Sequence, residues 1–550
     1  MHQAVIRILD GSIFTSPNSL PGTAGPQLLH NGLKPTQMVS ALSDLQRPLF
    51  AVREGRNVVL TDRPPQRLDR LTGVIPALST ADLGSSTFRQ LHGLRYAYLT
   101  GAMAGGIASV ELVVDMATAG FMGFFGAGAL PLAQIEDAIR KIQAQLPDGQ
   151  PYGMNLLHNY YDPRVEWATV ELYLRTSVRR VEAAAFVTLS APLVYFRAKG
   201  IVRRVDGRIV ASNHVFAKVS RPEVAAQFFA PPPDHLLQEL VAAGKLSAEE
   251  ARLAAQIPMA SAITCEADSG GHTDRRPLSV LLPMMLQERE QAMARFGYAD
   301  RGLEIHLGAA GGIGEPMSAH AAFSLGADYL VTGSINQACR QSGMADGVKR
   351  LLAEAEMADM ATCPASDMFE MGGRVQVLKR GTMYPQRAQR LYDLYKTYAS
   401  FDDIPIDERH KVETQILRRP FADVWQETER YWLARDPAEA ERGRIDAKHR
   451  MALCFRWYLG MSSRWARTGD LDRRADYQIW CGPAIGGLNR WTKGTHLAQA
   501  ENRDAPGLAH AILTGAAVLQ RRELASRAQV GHLPSLVAVS RPSGVATLTS

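Results

Sequence analysis

The chain contains 550 residues, of which 46% are hydrophobic and 21% are charged, a balance that excludes an intrinsically disordered or fibrous protein. Its formal net charge of +6 comes from 61 basic and 55 acidic residues spread along the chain, which indicates no nucleic-acid partner. The most apolar region, residues 101–131, is interrupted by Glu111 and Asp115, so we predict no membrane span and no membrane partner.

The five cysteines are far apart, odd in number and without a CxxC pair. This spacing indicates neither a disulfide framework nor a zinc site, and no metal is predicted. Free thiols fit a reducing compartment, and the first residues lack the charged-then-apolar layout of a signal peptide. We therefore expect a cytoplasmic protein.

Residues 1–90 are rich in Pro, Gly, Ser and Thr and contain two short apolar runs, at 49–52 and 57–60. This composition predicts a small irregular or β-containing lead-in segment, whose role the sequence leaves open. A chain of this length exceeds one average domain, so a large core domain with attached segments is expected after it.

From residue 96 onward, short apolar runs alternate with amphipathic segments such as 109–119, 131–145, 277–296 and 315–326. Eight strands are predicted, at residues 97–100, 121–125, 152–157, 184–189, 214–219, 262–266, 304–308 and 329–332. Eight alternating units over roughly 250 residues match an α/β fold of the (β/α)8 TIM-barrel type, at residues 91–340. A doubly wound sheet is the alternative, because alternation alone does not show closure.

One crossover, residues 222–258, is longer than the others. It contains three consecutive prolines at 231–233, a helical run at 234–256 and a capping box from Ser247 to Glu250. We predict a helical insertion that projects from the catalytic end of the barrel as a lid or part of a substrate wall.

Residues 341–525 are predicted to form a mostly helical extension that faces the substrate. Its abundant Tyr and Trp residues favour helix packing on the barrel over ligand binding. Residues 526–550 carry Gly, Pro, Ser and Thr near their end, and we expect a loose tail.

The chemistry is expected at the carboxyl ends of the strands, where TIM barrels place their catalytic groups. The sixth strand runs into the sequence Glu266-Ala-Asp-Ser-Gly-Gly-His272. Glycine lets the backbone approach a flat ring, as at Gly271, and histidine titrates near neutral pH. His272 is the candidate catalytic residue, with an ordinary turn carrying a surface histidine as the alternative.

Small or polar residues follow three other strands. The first strand ends in small residues that permit close approach of a flat ligand, the third in a carboxamide and the fifth in a lysine: Ala102, Met103 and Ala104, then Asn155, then Lys218. This set suits FMN, with the lysine offsetting negative charge near the pyrimidine edge of the ring. A salt-bridged or barrel-lining lysine and a satisfied buried amide are the alternatives for Lys218 and Asn155.

The loops after the seventh and eighth strands carry the candidate phosphate site. TIM barrels commonly hold a phosphate there, with glycine amides and a helix N-terminus as donors. The residues placed on the phosphate are Gly311, Gly312, Gly333 and Ser334.

In the same order, the segments 102–106, 153–155, 266–272, 309–313 and 332–334 resemble the motifs of the FMN barrel superfamily, which includes nitronate monooxygenases and FMN-dependent enoyl-acyl carrier protein reductases. The longer segments 96–103, 266–277, 364–370, 378–383 and 480–487 resemble more closely the trans-acting enoyl reductases of polyketide and polyunsaturated fatty acid synthases. This closer resemblance extends from about residue 85 to residue 500.

The resemblance implies reduction of the α,β double bond of an enoyl thioester on an acyl carrier protein, by hydride transfer from NADPH or NADH via FMN. His272 would then donate a proton or stabilise the developing oxyanion. Glu266 and Asp268 would orient the loop or bind the ribityl chain.

The expected partners are a carrier protein with its phosphopantetheine arm and the synthase that it serves. Four basic residues are candidates to meet the phosphate or the acidic carrier, with solvated surface charge as the alternative for each: Arg275, Arg276, Lys379 and Arg380. Two other functions stay open, a nitronate monooxygenase-like flavoprotein with His272 as base, and a non-catalytic flavin-binding assembly partner.

Overall fold

The protein is described by a computed structural model that covers residues 32–159 and 162–542. It divides into two compact units. One consists of residues 83–512, and the other combines the described residues before 83 with those after 512.

Eight parallel strands form a closed barrel in the larger unit. They are β4 (Tyr98–Thr100), β5 (Met122–Phe125), β6 (Gly153–Leu157), β7 (Arg180–Ala184), β10 (His214–Val219), β11 (Ala262–Glu266), β12 (His306–Ala310) and β13 (Tyr329–Thr332). The last strand pairs with the first through Leu330 and Tyr98, which closes the sheet. The predicted TIM barrel is thus confirmed and the doubly wound alternative excluded.

Two barrel strands are displaced from their predicted positions, whereas the first three each begin one residue later than predicted. The fourth is Arg180–Ala184 rather than 184–189, because the charged residues Arg180 and Glu182 concealed it and the apolar residues after it lie beyond the strand end. The seventh is His306–Ala310 rather than 304–308, since the strand continues through Gly308 into two alanines. Strands five, six and eight have the predicted bounds.

The N-terminal end of the barrel is closed by the helix Ser86–His92. Ser85 caps this helix by accepting from the Phe88 amide. The ring of Phe88 stacks on Tyr329 with centroids 4.3 Å apart and meets Phe216 edge-on at 6.2 Å. The barrel unit therefore begins at residue 83, before the predicted boundary at 91.

Four of the helices between the strands begin at polar caps. The side chains of Ser109, Asp162, Ser190 and Glu315 each accept from the first turn of a helix. The barrel helices are Val110–Thr118, Leu132–Gln145, Pro163–Arg175, Ala191–Ala198, Pro222–Phe229, Leu278–Arg295, Pro316–Ser324 and Ser334–Gln337. A short antiparallel pair, β8 (Val202–Arg203) and β9 (Ile209–Val210), precedes the fifth strand.

The insertion between the fifth and sixth strands forms two extra helices, Asp234–Ala242 and Ala248–Ala254, and the capping box at Ser247 is present. Glu250 accepts from the Gly200 amide at 2.9 Å, and Lys199 donates to the Lys245 carbonyl at 3.2 Å. Lys199 and Gly200 belong to the connection that leads into the fifth strand, at the N-terminal end of the barrel.

The predicted lid at the catalytic end is therefore wrong. The segment starts with the regular barrel helix Pro222–Phe229, so its extra residues fall in a helix-to-strand connection. Such connections lie at the end of a TIM barrel opposite the catalytic groups.

The extension after the barrel is mostly helical, as predicted, but it also contains a hairpin that the sequence did not indicate. Its strands are β14 (Met360–Pro364) and β15 (Arg374–Leu378), paired in antiparallel register. Its helices are Asp346–Ala353, Tyr384–Thr397, Ile406–Lys411, the π-helix Val412–Leu417, Phe421–Arg435, Pro437–Ile445, Ala447–Thr468, Ala484–Thr492 and Ala505–Arg527, the last entering the other unit at residue 513.

A buried carboxylate stabilises this extension. Asp476 is fully buried and lies within 3.3 Å of Arg473, accepts from Tyr458 at 2.8 Å and pairs with Arg387. Because Arg387 and Tyr458 lie on different helices, the carboxylate joins three segments of the extension. Among the described helices of the whole chain, none has both the length and the hydropathy needed to cross a bilayer.

The second unit is formed by both ends of the described chain. A three-stranded antiparallel sheet, β2 (Asn57–Thr61), β1 (Leu49–Glu54) and β3 (Leu71–Ile75), shares one core with the helices Pro35–Ser43 and Leu536–Val539. Val530 and Val539 from the end of the chain are buried in that core, so the tail predicted to be loose is ordered as far as residue 542. The rest of that tail, 543–550, and residues 1–31 of the lead-in lie outside the described residues.

Candidate active site

The carboxyl ends of three neighbouring barrel strands carry a group of charged side chains. Lys218 on β10 lies 3.5 Å from Glu182 on β7 and 3.6 Å from Glu266 on β11. Glu182 is buried, and the lysine side chain is 19% exposed. One lysine is thus shared between two carboxyl groups.

Burial governs the protonation of this group. Loss of solvent raises the pKa of Glu182, an effect that the charge of Lys218 opposes. Burial by itself lowers the pKa of Lys218, but attraction to Glu182 and Glu266 exceeds that effect and raises it above its ordinary value. Lys218 is therefore a permanent cation, which agrees with the salt-bridged alternative for this residue.

Glu182 contacts predicted residues of three other strands and was missed in the sequence. It accepts from the Ala102 amide at 3.1 Å, and its carbonyl accepts from the Asn155 side chain at 3.2 Å. Its Oε1 atom is buried without a hydrogen-bond partner among the described residues. In the sequence, Glu182 is a single charged residue in a segment whose pattern predicts a connection and not a strand.

The loop after the first strand packs closely against the loop after the second. A Cβ atom on Gly126 would lie 1.7 Å from the Met103 carbonyl, and one on Gly128 would lie 3.0 Å from Asn155 Oδ1 and 3.2 Å from Ala104 Cβ. Met103 and Ala104 are thus placed beside Asn155 by glycines on the neighbouring loop. Arg467, from the helix Ala447–Thr468, donates to the Gly105 carbonyl on the same loop.

The glycines after the later strands fall into two kinds. A Cβ atom on Gly271, Gly312 or Gly333 would meet nothing within 4 Å, so these backbones face open space. At Gly311 a Cβ atom would lie 2.6 Å from the Ala267 carbonyl carbon, and this glycine is needed for packing. Only the first kind leaves room for a ligand to approach the backbone.

The segment 480–487 of the extension covers the same loops. Ser334 accepts from the Gly482 amide at 2.9 Å, and a Cβ atom on Gly314 would lie 2.1 Å from the Ala484 carbonyl oxygen. Ser334 begins the four-residue helix Ser334–Gln337. The extension therefore supplies one wall above the glycines proposed for phosphate binding.

His272 makes a hydrogen bond to a residue that the sequence did not place in the site. Its Nε2 atom lies 3.0 Å from Oδ1 of Asp367, in the loop between β14 and β15. Burial lowers the pKa of His272, but the hydrogen bond and charge of Asp367 outweigh burial and raise it overall. The pKa of Asp367 is lowered by the histidine in spite of burial. Asp367 lies in segment 364–370, which carries part of the family resemblance but had no role assigned to it.

The turn that carries His272 is held by the hairpin of the extension. Gln376 exchanges backbone hydrogen bonds of 2.8 and 3.0 Å with Gly271, and its side chain donates to Asp268 at 2.8 Å and to the Ser269 carbonyl at 2.7 Å. Ser269 in turn donates to Glu266 at 3.2 Å. Asp268 is therefore fastened to the hairpin, and its role, orienting the loop or binding the ribityl chain, stays a prediction.

The four basic residues proposed for the phosphopantetheine arm have different surroundings. Arg380 pairs with Asp359 at 3.5 Å and with Glu354 at 3.9 Å, as a solvated surface charge would. Arg275 is exposed and has φ 52, in a loop fastened by the Arg221–Asp274 ion pair at 2.8 Å. Arg276 and Lys379 are exposed as well.

The residues at the strand ends fit a flavin mononucleotide. Open space above Gly312 and Gly333 leaves room for a phosphate against their amides. The orphaned Glu182 Oε1 offers an acceptor, and Lys218 offers a fixed cation beside it. The binding roles given to the other candidate residues stay predictions.

The barrel and part of the extension each match a known family. Residues 86–380, more than half of the chain, match the family described as nitronate monooxygenase. The chain belongs to the nitronate monooxygenase family. Residues 398–477 match the inserted helical domain of [acyl-carrier-protein] S-malonyltransferase.

Individual proteins are also similar to the chain. The enoyl reductase domain of MlnA, from the macrolactin biosynthesis cluster of Bacillus amyloliquefaciens, shares 36% identity at a TM-score of 0.78, with 82% of this chain and 100% of that chain covered. The polyketide biosynthesis protein PksE of Bacillus subtilis (strain 168) is 43% identical, over 90% of this chain and 63% of its own length.

The polyketide biosynthesis protein ThaF of Burkholderia thailandensis is 45% identical to the chain, over 82% of this chain and 38% of its own length. The chain thus spans between about a third and about two thirds of the length of these two curated relatives. The resemblance to trans-acting enoyl reductases is confirmed.

Proposed function

We propose that the protein reduces the α,β double bond of enoyl thioesters carried by an acyl carrier protein, in polyketide or polyunsaturated fatty acid biosynthesis. The observation that carries this proposal is the match over the full length of the MlnA enoyl reductase domain. When bound, FMN supplies hydride transfer between NADPH or NADH and the β-carbon of the thioester.

The amides of Gly312, Gly333 and Ser334 would hold the flavin phosphate by direct hydrogen bonds. Lys218 would place a positive charge near the ring, held in position by Glu182 and Glu266.

His272 is the group proposed to act on the substrate. A ring with a raised pKa is partly protonated near neutral pH, so it can give a proton to the α-carbon or a hydrogen bond to the thioester oxygen. Its partly exposed position suits a substrate that enters from solvent.

The extension is proposed to receive the carrier protein. Residues 398–477 match a helical domain found in an acyl-carrier-protein transferase, and Arg467 of that segment contacts the first strand-end loop. Arg275, exposed three residues after His272, is the best placed of the four basic candidates for the phosphopantetheine phosphate.

The purified protein should be yellow, bleach anaerobically with NADPH and regain its colour on addition of an enoyl thioester attached to a carrier or to pantetheine. Colourless protein that FMN cannot reconstitute would refute a flavin enzyme. Rapid turnover of a nitronate in air, with no reoxidation by the thioester, would favour the nitronate monooxygenase-like function suggested by the family match.

A glycine variant tests the phosphate site directly. Gly333→Ala should weaken FMN binding at least several-fold without loss of apoprotein stability, because its Cβ atom enters open space at φ −130. Gly347→Ala, also with an unobstructed Cβ but on the helix Asp346–Ala353, is the matched control and should bind FMN normally.

A further inference from the structure

We propose that Asp367 is a positioning residue for His272, and that the helical extension acts on the active site through it. This inference rests on the proposed function, since it assigns His272 to the reaction. It adds that a segment following the barrel in sequence completes the catalytic group of the barrel.

The geometry of the pair selects one ring nitrogen for chemistry. Asp367 occupies Nε2 of His272 at 3.0 Å, which leaves Nδ1 to exchange a proton with a ligand. Besides Asp367, the charged groups that act on this ring are Glu266 at the end of β11 and Lys218 on β10. Glu266 raises and Lys218 lowers the pKa of the ring, but the largest effects that raise it are the hydrogen bond and the charge of Asp367.

The loop that carries Asp367 is fastened on both sides of that residue. Arg456 donates to the Ser366 carbonyl at 3.0 Å and pairs with Glu370 at 3.2 Å. The buried His449 lies 3.2 Å from Glu370 as well. Arg456 and His449 both lie on the helix Ala447–Thr468, so one long helix fixes the loop.

An apolar contact adds to these bonds. Phe369, two residues after Asp367, is 1% exposed and meets Tyr395 at 5.2 Å and Phe455 at 6.4 Å between ring centroids. A carboxylate held by such a loop keeps the imidazole in one orientation and one tautomer, which is the usual function of a residue that orients a catalytic histidine. The exposed carboxylate of Asp367 is thus placed by buried neighbours.

The test measures the pKa of His272 in the full-length holoprotein by NMR of isotope-labelled histidine, with His272→Ala to assign the signal. Asp367→Asn should lower that pKa by roughly 0.5 to 1, the discounted effect of a half-exposed partner charge. Asp367→Glu should restore part of the change. Glu370→Gln, which loosens the loop while leaving Asp367 in place, should shift it in the same direction by less.

Asp274→Asn is the matched control, because it removes a carboxylate two residues from His272 that pairs with Arg221 instead. It should leave the pKa of His272 near the wild-type value. An unchanged pKa in Asp367→Asn, or an equal fall in Asp274→Asn, would overturn the proposal.

Activity provides a separate readout. The pH profile of kcat with an enoyl thioester should move in Asp367→Asn by the same amount as the pKa of His272, and thermal unfolding should show that the variant is folded. A wild-type protein that does not reduce the thioester would refute the proposed function, while the NMR result would still decide the role of Asp367. A profile that does not move although the pKa falls would show that His272 takes no part in the rate-limiting proton transfer and would overturn the catalytic half of the inference.

Discussion

At the scale of single residues, the site consists of two groups of charged side chains that are joined by ion pairs. Glu182, Lys218 and Glu266 form a buried group of two carboxylates and one cation, while His272 and Asp367 form a partly exposed pair. Buried charges depend strongly on their partners, whereas exposed pairs contribute little to stability. The two groups therefore predict different responses to substitution.

Replacing the shared cation should destabilise the barrel. Lys218→Met leaves Glu182 and Glu266 facing each other without a counter-charge, and a loss of about 3 kcal/mol in the free energy of unfolding is expected at pH 7. The deficit should shrink toward pH 5, because the raised pKa of Glu182 lets it take up a proton. Urea unfolding of the apoprotein measures it.

Two further variants interpret that result. The double variant Lys218→Met with Glu182→Gln should recover a large part of the loss, since one of the two carboxylates is removed. Lys141→Met breaks an exposed ion pair with Asp137 and should cause no comparable loss. Equal stability of Lys218→Met and the wild type would contradict the inferred charge balance.

The pair of His272 and Asp367 predicts a pH window. The lowered pKa of Asp367 stabilises the fold above its ordinary value of 3.8, and this is lost as pH falls through the lowered pKa. The raised pKa of His272 stabilises the fold below its ordinary value of 6.5, and this is lost as pH rises through the raised pKa. The contribution of the pair should be largest at about pH 4 to 6.5 and should not exceed about 1 kcal/mol, as both side chains are largely exposed.

Unfolding of the wild type and of Asp367→Asn at pH 5.5 and at pH 9 measures this window. The wild type should be more stable than the variant at pH 5.5, and the difference should be smaller at pH 9. A difference that is the same at both pH values would mean that the pair is not ionised as inferred.

At the scale of elements, the sequence predicts what is local and misses what depends on packing. The strands His214–Val219, Ala262–Glu266 and Tyr329–Thr332 were predicted because each is a short run bounded by turn residues. The fourth strand was displaced because Arg180 and Glu182 interrupt its apolar pattern. A charged residue inside a barrel strand is stabilised by partners on other strands, which no local pattern contains.

The difference between local pattern and long-range packing also decides which residues of the site could be predicted. Lys218 and Glu266 lie at the ends of predicted strands, and Gly312 and Gly333 lie in the loops after predicted strands, so the rule that catalytic groups lie at strand ends places all four at one end of the barrel. Their binding roles stay predictions. Asp367 and Gln376 come from a hairpin beyond the barrel, more than 90 residues after the turn that they contact. Contacts between segments so far apart are set by tertiary packing, which only the structure contains.

The position of the insertion yields an element-scale prediction. Glu250 accepts from the amides of Ser247 at 2.8 Å and Gly200 at 2.9 Å, and Lys199 donates to it at 3.2 Å. Glu250→Ala should therefore cost about 1–2 kcal/mol of stability, measured by urea unfolding, without altering FMN affinity.

The neighbouring Glu249→Ala is the control, since Glu249 only pairs with the exposed Arg252, and its stability should match the wild type. If Glu250→Ala changed the FMN affinity or the KM for the thioester at unchanged stability, the insertion would have to act on the substrate side of the barrel, contrary to its inferred position.

At the scale of the whole molecule, the two chain ends build one unit. The guanidinium of Arg521 is fully buried there and donates to the carbonyls of Leu42 at 3.1 Å and Arg47 at 2.7 Å, and also to that of Asp44. A residue near the end of the chain thus satisfies the backbone of a turn near its beginning. Such long-range satisfaction of carbonyl groups was not visible in the sequence.

Arg521→Met should weaken this unit selectively. Three carbonyl groups lose a charged donor, and a loss on the order of 3 kcal/mol in local stability is expected. Hydrogen exchange should rise in the strands Leu49–Glu54 and Leu71–Ile75. Arg527→Met removes an exposed pair with Glu523 and should leave exchange unchanged; equal exchange in both variants would contradict the role of Arg521.

The shared core of the two chain ends also has a consequence for synthesis on the ribosome. Among the described residues, the sheet that ends at Ile75 and the helix Pro35–Ser43 lack the rest of their core until Leu513 and the residues after it emerge, roughly 440 residues later, which takes about 20 to 90 s at typical elongation rates. The barrel can fold during that interval, whereas the three strands of the sheet cannot yet complete their core. The core that these three strands share with the residues after 512 is thus completed only after the barrel segment between them has been made.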